Sequence, residues 1–257
     1  MVSNILDLKK LIRDKQVLYG TFVKINNSAI LEVLGYAGFD FVVIDTEHGS
    51  HSIESVEALV RSANLSGLCP VVRVRKNDPT LISQALDTGA SGVQVPQVST
   101  KNDALTAVNA AKFYPEGQRG MDPYSRSARY SHTRMADYLK EANEKTSIIL
   151  QVEGVKGLSN LDEIITVPGI DIIFIGPYDL SQSLGLPGQV NHEVLSEEML
   201  KVITKANKKG IISGTYIDNV EGAKKWVNLG IEYIAVSVDV SIMMRAAKQI
   251  ISVLKSN

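Results

Sequence analysis

Apolar and polar positions along this chain fall into two rhythms that alternate from one end to the other. Short runs rich in β-branched residues, with no polar face, read as strands covered on both sides. Each is followed by a longer segment with apolar residues three and four apart, the spacing of an amphipathic helix. Residues 4–15 alternate Leu and Ile with Lys and Asp at helical spacing, and residues 19–25 read as the first strand. Asn27 and Ser28 are caps for a helix that carries Ile30, Leu31 and Leu34 and ends at Gly38. The second strand, from Phe39, runs through Val42, Val43 and Ile44 and breaks abruptly into Asp45, Glu47 and His48.

The alternation continues with a helix over 52–64 and a strand over 70–74 that ends in Arg73 and Arg75. Asp78-Pro79 opens the next helix with proline at its first position, and Gly89 ends it. Strand four spans 91–95 and carries Gln94; a helix over 101–113 follows. Residues 114–132 hold glycines, prolines and three arginines without a clean period, and a loop of this length is expected to be functional or mobile. A helix over 133–144 leads to strand five, 147–153, which ends in Gln151 and Glu153. A helix over 157–166 precedes strand six, 170–175, which breaks into Gly176, Pro177 and Asp179. Then come a helix to Lys209, strand seven over 211–216 with Tyr216 at its end, a helix over 219–229, strand eight over 231–239 and a last helix over 240–254.

Eight strands in strict alternation with helices imply parallel pairing, and eight such units closing on themselves make an α/β fold of the TIM (β/α)8 barrel type. A doubly wound open sheet is the alternative, but the Gly-x-Gly-x-x-Gly phosphate turn is missing. At 257 residues, one barrel domain spanning 1–257 fits the length. Composition narrows the function classes: 44% hydrophobic and 21% charged residues are ordinary for a globular protein, and a net charge of −1 with scattered basic residues leaves no footprint for nucleic acid or an anionic membrane. No basic segment followed by an apolar run opens the chain, so a cytoplasmic location is expected. Cys69, beside Pro70 in a strand, reads as a core residue.

In a barrel every strand points its C-terminal end at one mouth, where the chemistry is kept. The residues brought there are Asp45, Glu47 and His48, Arg73, Gln94, Gln151 and Glu153, Asp179 and Tyr216. Asp45 and Glu47 could equally cap the next helix. Carboxylates with few histidines nearby suit a hard divalent cation such as Mg2+ or Mn2+; Glu153 and Asp179 could instead form ion pairs with Arg73 and Arg75.

The ordered set Asp45-x-Glu47-His48-Gly49, Arg73, Gln151-x-Glu153 and Ile175-Gly176-Pro177-x-Asp179-Leu180-Ser181, with Asn160-x-x-Glu163-Ile164 and Pro168-Gly169-Ile170-Asp171, resembles the HpcH/HpaI aldolase family of phosphoenolpyruvate/pyruvate barrels, from Gly20 to about Asp239. The resemblance implies a class II aldolase that cleaves and forms 4-hydroxy-2-oxo acids, with pyruvate and an aldehyde as its small-molecule partners. It implies Glu153 and Asp179 as ligands of a divalent cation (Mg2+, Mn2+ or Co2+), Arg73 on the keto or enolate oxygen, and Gly176 and Pro177 facing the pyruvate carboxylate. Gln151 and Tyr216 join the substrate-binding set. His48, oriented by Asp45, belongs to the acid/base machinery, and Asp87 is offered to the histidine of a neighbouring subunit. The implied assembly is a homo-oligomer, a trimer of dimers with residues 240–257 exchanged between subunits; packing of that helix on its own barrel is the alternative. Lys24 and Ser237 depart from the family pattern, in which Ser-Pro and Gly are common. Three other readings stay open: a Schiff-base aldolase through Lys24, a citryl or acyl-CoA lyase of the same superfamily, and a barrel that binds metal and oxo acid without turnover.

Overall fold

Every strand of the chain is hydrogen-bonded to the next in sequence, and the eighth closes on the first, so that the sheet is a parallel barrel in the order β1 to β8. The structure, a computed structural model, describes residues 6–256. The strands are β1 (Leu18–Val23), β2 (Phe41–Asp45), β3 (Cys69–Arg73), β4 (Gly92–Val95), β5 (Ser147–Val152), β6 (Ile172–Ile175), β7 (Ile212–Ile217) and β8 (Tyr233–Val238). The helices before β5 are α1 (Leu8–Lys15), α2 (Ser28–Tyr36), α3 (Ile53–Leu65), α4 (Pro79–Asp87), α5 (Lys101–Ala111) and α6 (Met135–Lys145). After β5 come α7 (Val155–Ser159), α8 (Leu161–Ile164), α9 (Pro177–Ser183), α10 (Glu193–Lys208), α11 (Val220–Asn228) and α12 (Asp239–Leu254). Residues 4 and 5 of the first expected helix, and most of the opening segment read for an export signal, lie outside the described residues.

Alternation along each strand divides the core in two. Outward residues such as Val42, Ile44, Val72, Val93, Ile148, Leu150 and Ile173 pack under the helices. Inward residues, among them Phe22, Phe41, Val43, Val71, Ile149, Ile172, Phe174 and Tyr233, fill the barrel. Phe41 and Tyr233 stack there with ring centroids 3.9 Å apart, and Leu8 and Ile12 of α1 join the same cluster. The barrel is therefore a packed core with α1 against it, and a cavity opens at the C-terminal ends of the strands.

Local signals place the helices. Asn27, Ser52, Asp78 and Asn219 each accept a backbone N–H at the start of the helix that follows, and Thr100 with Asp103 forms a reciprocal capping box. One expectation is corrected. The helix read over 157–166 is two short helices, α7 and α8, because Asn160 between them leaves helical geometry and sends its side-chain amide to the Ser99 carbonyl at 2.8 Å. The segment 114–132, read as functional or mobile, is bonded to the barrel wall at several points: Arg119 Nη2 reaches Asp87 Oδ1 at 2.6 Å, Arg126 Nη1 reaches the Thr88 carbonyl at 2.6 Å, and the Ser127 and Tyr138 hydroxyls lie 2.8 Å apart.

The last helix does not behave like the eighth helix of a self-contained barrel. Its first residue, Asp239, is buried and accepts the backbone N–H groups of Lys24 and Ile25, and Arg245 anchors the next turns to the Asp218 carbonyl and the Ser237 hydroxyl. From Met243 to Ser256 every residue is exposed, including Met243, Met244, Ile250, Ile251, Val253 and Leu254. Among the described residues nothing covers this apolar face.

Candidate active site

The period of two that fills the barrel also aims its mouth. Continuing the inward series one step past the last core residue gives Lys24 after Phe22, Asp45 after Val43, Arg73 after Val71, Gln151 after Ile149, Gly176 after Phe174 and Tyr216 after Gly214. All of these line one cavity of about 340 Å3, together with His48, Pro177, Tyr178, Asp179 and Val238. That volume suits a small organic molecule. Asp45 and Arg73 are direct partners in the β2–β3 register, as Arg73 and Gln94 are in the β3–β4 register.

Arg73 is the hub of one wall. Its Nε and Nη2 donate to Asp45 Oδ1 and Oδ2 at 3.0 and 2.9 Å, and its Nη1 lies 3.1 Å from Glu47 Oε2. The guanidinium stands over the Phe22 ring, 4.7 Å from its centroid. Burial works against charge on Asp45, but the Arg73 hydrogen bonds and charge, the His48 N–H and the Lys24 ammonium outweigh it and hold the carboxyl below its ordinary range. The expectation that Asp45 orients the His48 ring is corrected here. Both Asp45 oxygens serve the Arg73 fork, and His48 is tied to Asp45 through its backbone N–H at 3.2 Å, which leaves the imidazole exposed at the rim.

The opposite wall is acidic. Glu153 Oε1 accepts the Gln97 backbone N–H at 2.8 Å, and its Oε2 accepts from Gln151, whose own carbonyl oxygen takes a bond from Gln94 at 2.5 Å. Burial, opposed by those bonds and reinforced by the charges of Asp179 and Glu47, pushes the Glu153 carboxyl up to about 7. Burial likewise raises Glu47, with Asp45 and Asp179 adding to the effect and Arg73 opposing it. Among the described residues, the buried Glu47 Oε2 has only its ion-pair contact with Arg73 Nη1 at 3.1 Å. Gly176 completes the pocket floor, where an added Cβ would come within 2.5 Å of Glu153 Oε2. Asp179 is exposed to the cavity from the first turn of α9.

This donor set fits a hard divalent cation. The charges of Asp179 and Glu47 add to the burial that raises Glu153, and a bound cation would relieve that repulsion among three neighbouring carboxylates. The described residues hold no group of three or more His, Cys, Asp or Glu placed to bind a metal alone, so Glu153 and Asp179 would leave coordination positions to other oxygen ligands.

With this geometry in place, comparison with known proteins is decisive. The family model of the HpcH/HpaI aldolase/citrate lyase family matches residues 18–246. The chain belongs to this family. It is thereby an enzyme of the carbon–carbon lyase class. Among HpcH/HpaI proteins it is similar to the hydroxypyruvate/pyruvate aldolase of Paraburkholderia phytofirmans, with 32% identity over 97% of each chain. It is 34% identical to the 4-hydroxy-2-oxo-heptane-1,7-dioate aldolase of Escherichia coli, over 89% of this chain and 87% of that one. The crystal structure of an HpcH/HpaI aldolase/citrate lyase family protein from Burkholderia cenocepacia superimposes with a TM-score of 0.91 at 33% identity, covering 97% of this chain and 99% of that chain.

Of the residues expected at the site, Asp45, His48, Arg73, Gln151, Gly176, Pro177, Asp179 and Tyr216 line the cavity, and Glu153 stands directly behind Gly176 and Gln151. Asp87 does not line it; it sits at the end of α4, paired with Arg119. Sequence reasoning missed Gln97, which reaches Glu153 through a backbone N–H at a positive φ of 58°, a conformation without a residue signature outside Gly and Asn. Ser237, where the family pattern favours Gly, holds a φ of 62° and costs about 1 kcal/mol of strain. No helix among the described residues is long and apolar enough to cross a membrane.

Proposed function

We propose that this enzyme is a divalent-metal-dependent class II aldolase that cleaves and forms 4-hydroxy-2-oxo acids, with pyruvate and an aldehyde as the products of cleavage. The observation that carries this reading is the pairing of two sides of one small cavity: the buried Arg73 fork on one, and on the other Asp179 with the Glu153 carboxylate directly behind Gly176. A 2-oxo acid presents a carboxylate and a keto oxygen, and its enolate places negative charge where such walls can stabilise it. The hydroxypyruvate/pyruvate aldolase and 4-hydroxy-2-oxo-heptane-1,7-dioate aldolase relatives support the same reaction class.

Glu153 and Asp179 would hold the cation, preferably Mg2+, Mn2+ or Co2+, which supplies a fixed positive charge beside the oxo acid. In cleavage, the C4 hydroxyl loses its proton, the C3–C4 bonding pair passes into the pyruvate enolate, the aldehyde leaves, and one proton returned to C3 gives pyruvate. Arg73, fixed along one edge by Asp45, keeps further N–H groups for the enolate oxygen. His48 reaches the cavity from the rim and exchanges the hydroxyl proton, directly or through water. Gln151 holds Glu153 in place, and the Gly176–Pro177 backbone faces the oxo-acid carboxylate.

The exposed apolar face of α12 supports assembly into a homo-oligomer, a trimer of dimers in which the last helix packs on a neighbouring subunit. In that arrangement Asp87 would serve a neighbour's histidine. A cytoplasmic location is part of the same proposal.

The deciding experiment incubates the protein with Mg2+, Mn2+ or Co2+ and a panel of 4-hydroxy-2-oxo acids and follows pyruvate release with a coupled dehydrogenase. Metal-stimulated release is expected. Absence of release, together with absence of deuterium exchange into the pyruvate methyl group, overturns the reading and leaves a binding barrel.

A further inference from the structure

The cavity holds one cation that the reaction described above does not use. Lys24 follows the last residue of β1, where its backbone N–H and that of Ile25 are fixed by the buried Asp239 carboxylate at 2.8 to 3.1 Å. Its ammonium lies 3.8 Å from Asp45 Oδ2, beyond hydrogen-bond distance, and its side chain is 35% exposed. Asp45 has little left to offer it, since both oxygens already accept from the Arg73 fork.

The other polar groups on this side of the cavity have spent their protons. The Tyr178 and Tyr216 hydroxyls donate to Asp218 Oδ2 and Oδ1 at 2.8 and 3.0 Å, and burial with the adjacent Asp218 charge pushes the Tyr178 phenol up to about 12. The Arg245 guanidinium is committed to the Asp218 carbonyl and the Ser237 hydroxyl. Phe22 and Val238 supply apolar wall between them. Among the described residues lining the cavity, and with His48 assigned to proton transfer, Lys24 is the charged donor left free to meet a substrate.

The oxo-acid half of the substrate is accounted for by Arg73, Glu153 and Asp179, so a free cation in the same cavity faces what remains, the aldehyde half. Resting on the aldolase reading, we infer that Lys24 is a specificity-determining residue that selects aldehydes bearing an anionic group. Its ammonium donates a charge-assisted hydrogen bond to that group, while the paired tyrosines, already donating to Asp218, present only acceptor lone pairs. Carboxylate and phosphate share this chemistry.

The test is the synthetic direction with pyruvate and three acceptors: a carboxylate-terminated aldehyde, a phosphate-terminated one and an uncharged one of similar length. The readout is the ratio of kcat/KM for each anionic acceptor to that for the uncharged one. In the wild type at least one ratio is expected well above one, and the larger of the two identifies the anion. Lys24→Met is expected to lower that ratio roughly ten- to hundredfold, the size of one lost charge-assisted hydrogen bond. Lys24→Arg, which keeps the charge but cannot form an imine, is expected to retain it.

A wild-type ratio near one for both anions, an unchanged ratio in Lys24→Met, or a folded Lys24→Met that loses all three acceptors alike overturns the inference and returns Lys24 to the support of Asp45. Exchange of the pyruvate methyl protons by the wild type separates the two levels. Its presence without acceptor discrimination sinks the role of Lys24 alone. Its absence sinks the aldolase reading and this inference with it.

Discussion

Arg73 grips both oxygens of Asp45 across adjacent strands, at 3.0 and 2.9 Å, with Asp45 fully buried. The pair is a direct partner pair in the β2–β3 register, so the sheet itself sets its geometry. Arg73→Lys replaces a planar fork with a point charge, and a loss of at least about a hundredfold in kcat/KM is expected in the pyruvate-release assay. Asp45→Ala removes the bidentate partner of the buried guanidinium and leaves it only Glu47 as counter-charge, and is expected to cost about 3 kcal/mol in urea unfolding. Near-normal turnover by Arg73→Lys would reassign the fork to structure.

Glu153→Gln and Asp179→Asn are each expected to weaken Mn2+ binding by about a hundredfold or more, because a neutral amide is a poor ligand for a hard cation. Calorimetric titration with the metal alone reads this directly, and circular dichroism checks that the barrel is intact. Wild-type affinity in either variant removes that residue from the ligand set.

The Glu153 carboxyl, raised from 4.5 to about 7 by burial and by the nearby Asp179 and Glu47 charges, binds its proton more tightly folded than unfolded. Its contribution to stability is therefore complete below about pH 4.5 and is lost as pH rises through about 7. Thermal unfolding in EDTA between pH 5 and 8 is expected to show this loss, and Glu153→Gln to flatten it. Metal affinity runs the other way: a proton competes for the site, so affinity rises about tenfold per pH unit up to neutrality. Equal pH slopes in wild type and Glu153→Gln would refute the assignment.

Gly176→Ala puts a methyl group 2.5 Å from Glu153 Oε2 and 3.0 Å from Glu153 Cβ. Glu153 is itself pinned by Gln97 and Gln151 and cannot retreat without breaking a bond. The expected result is a loss of metal affinity of tenfold or more with little change in fold, read by the same titration; unaltered binding would show that the carboxylate moves freely.

Assembly is tested on α12. Ile250 and Ile251 are 60% and 48% exposed on a helix whose residues from Met243 to Ser256 are all exposed. If the proposed hexamer forms through this helix, Ile250→Glu with Ile251→Glu converts it to smaller species in light scattering and abolishes pyruvate release. A wild-type monomer with full activity rules out both the exchanged helix and the role given to Asp87.

The order of elements was legible because burial on both faces forces β-branched runs in parallel strands, and because helix caps such as Ser52 and Asp78 are local chemistry. Position at a strand end was equally legible: Asp45, Arg73, Gln151 and Tyr216 follow from a period of two and a shared mouth. Sequence alone thus determined a barrel with a charged rim and which residues could stand there. Tertiary structure decided the partnerships, because pairing depends on register and side-chain direction across strands distant in sequence. It gave Asp45 to Arg73 rather than to the His48 ring, brought Gln97 to Glu153 through a backbone N–H, and committed Tyr178 and Tyr216 to Asp218. It also left the Lys24 ammonium, among the described residues, with only its 3.8 Å ion-pair contact to Asp45, whose oxygens the Arg73 fork had already taken.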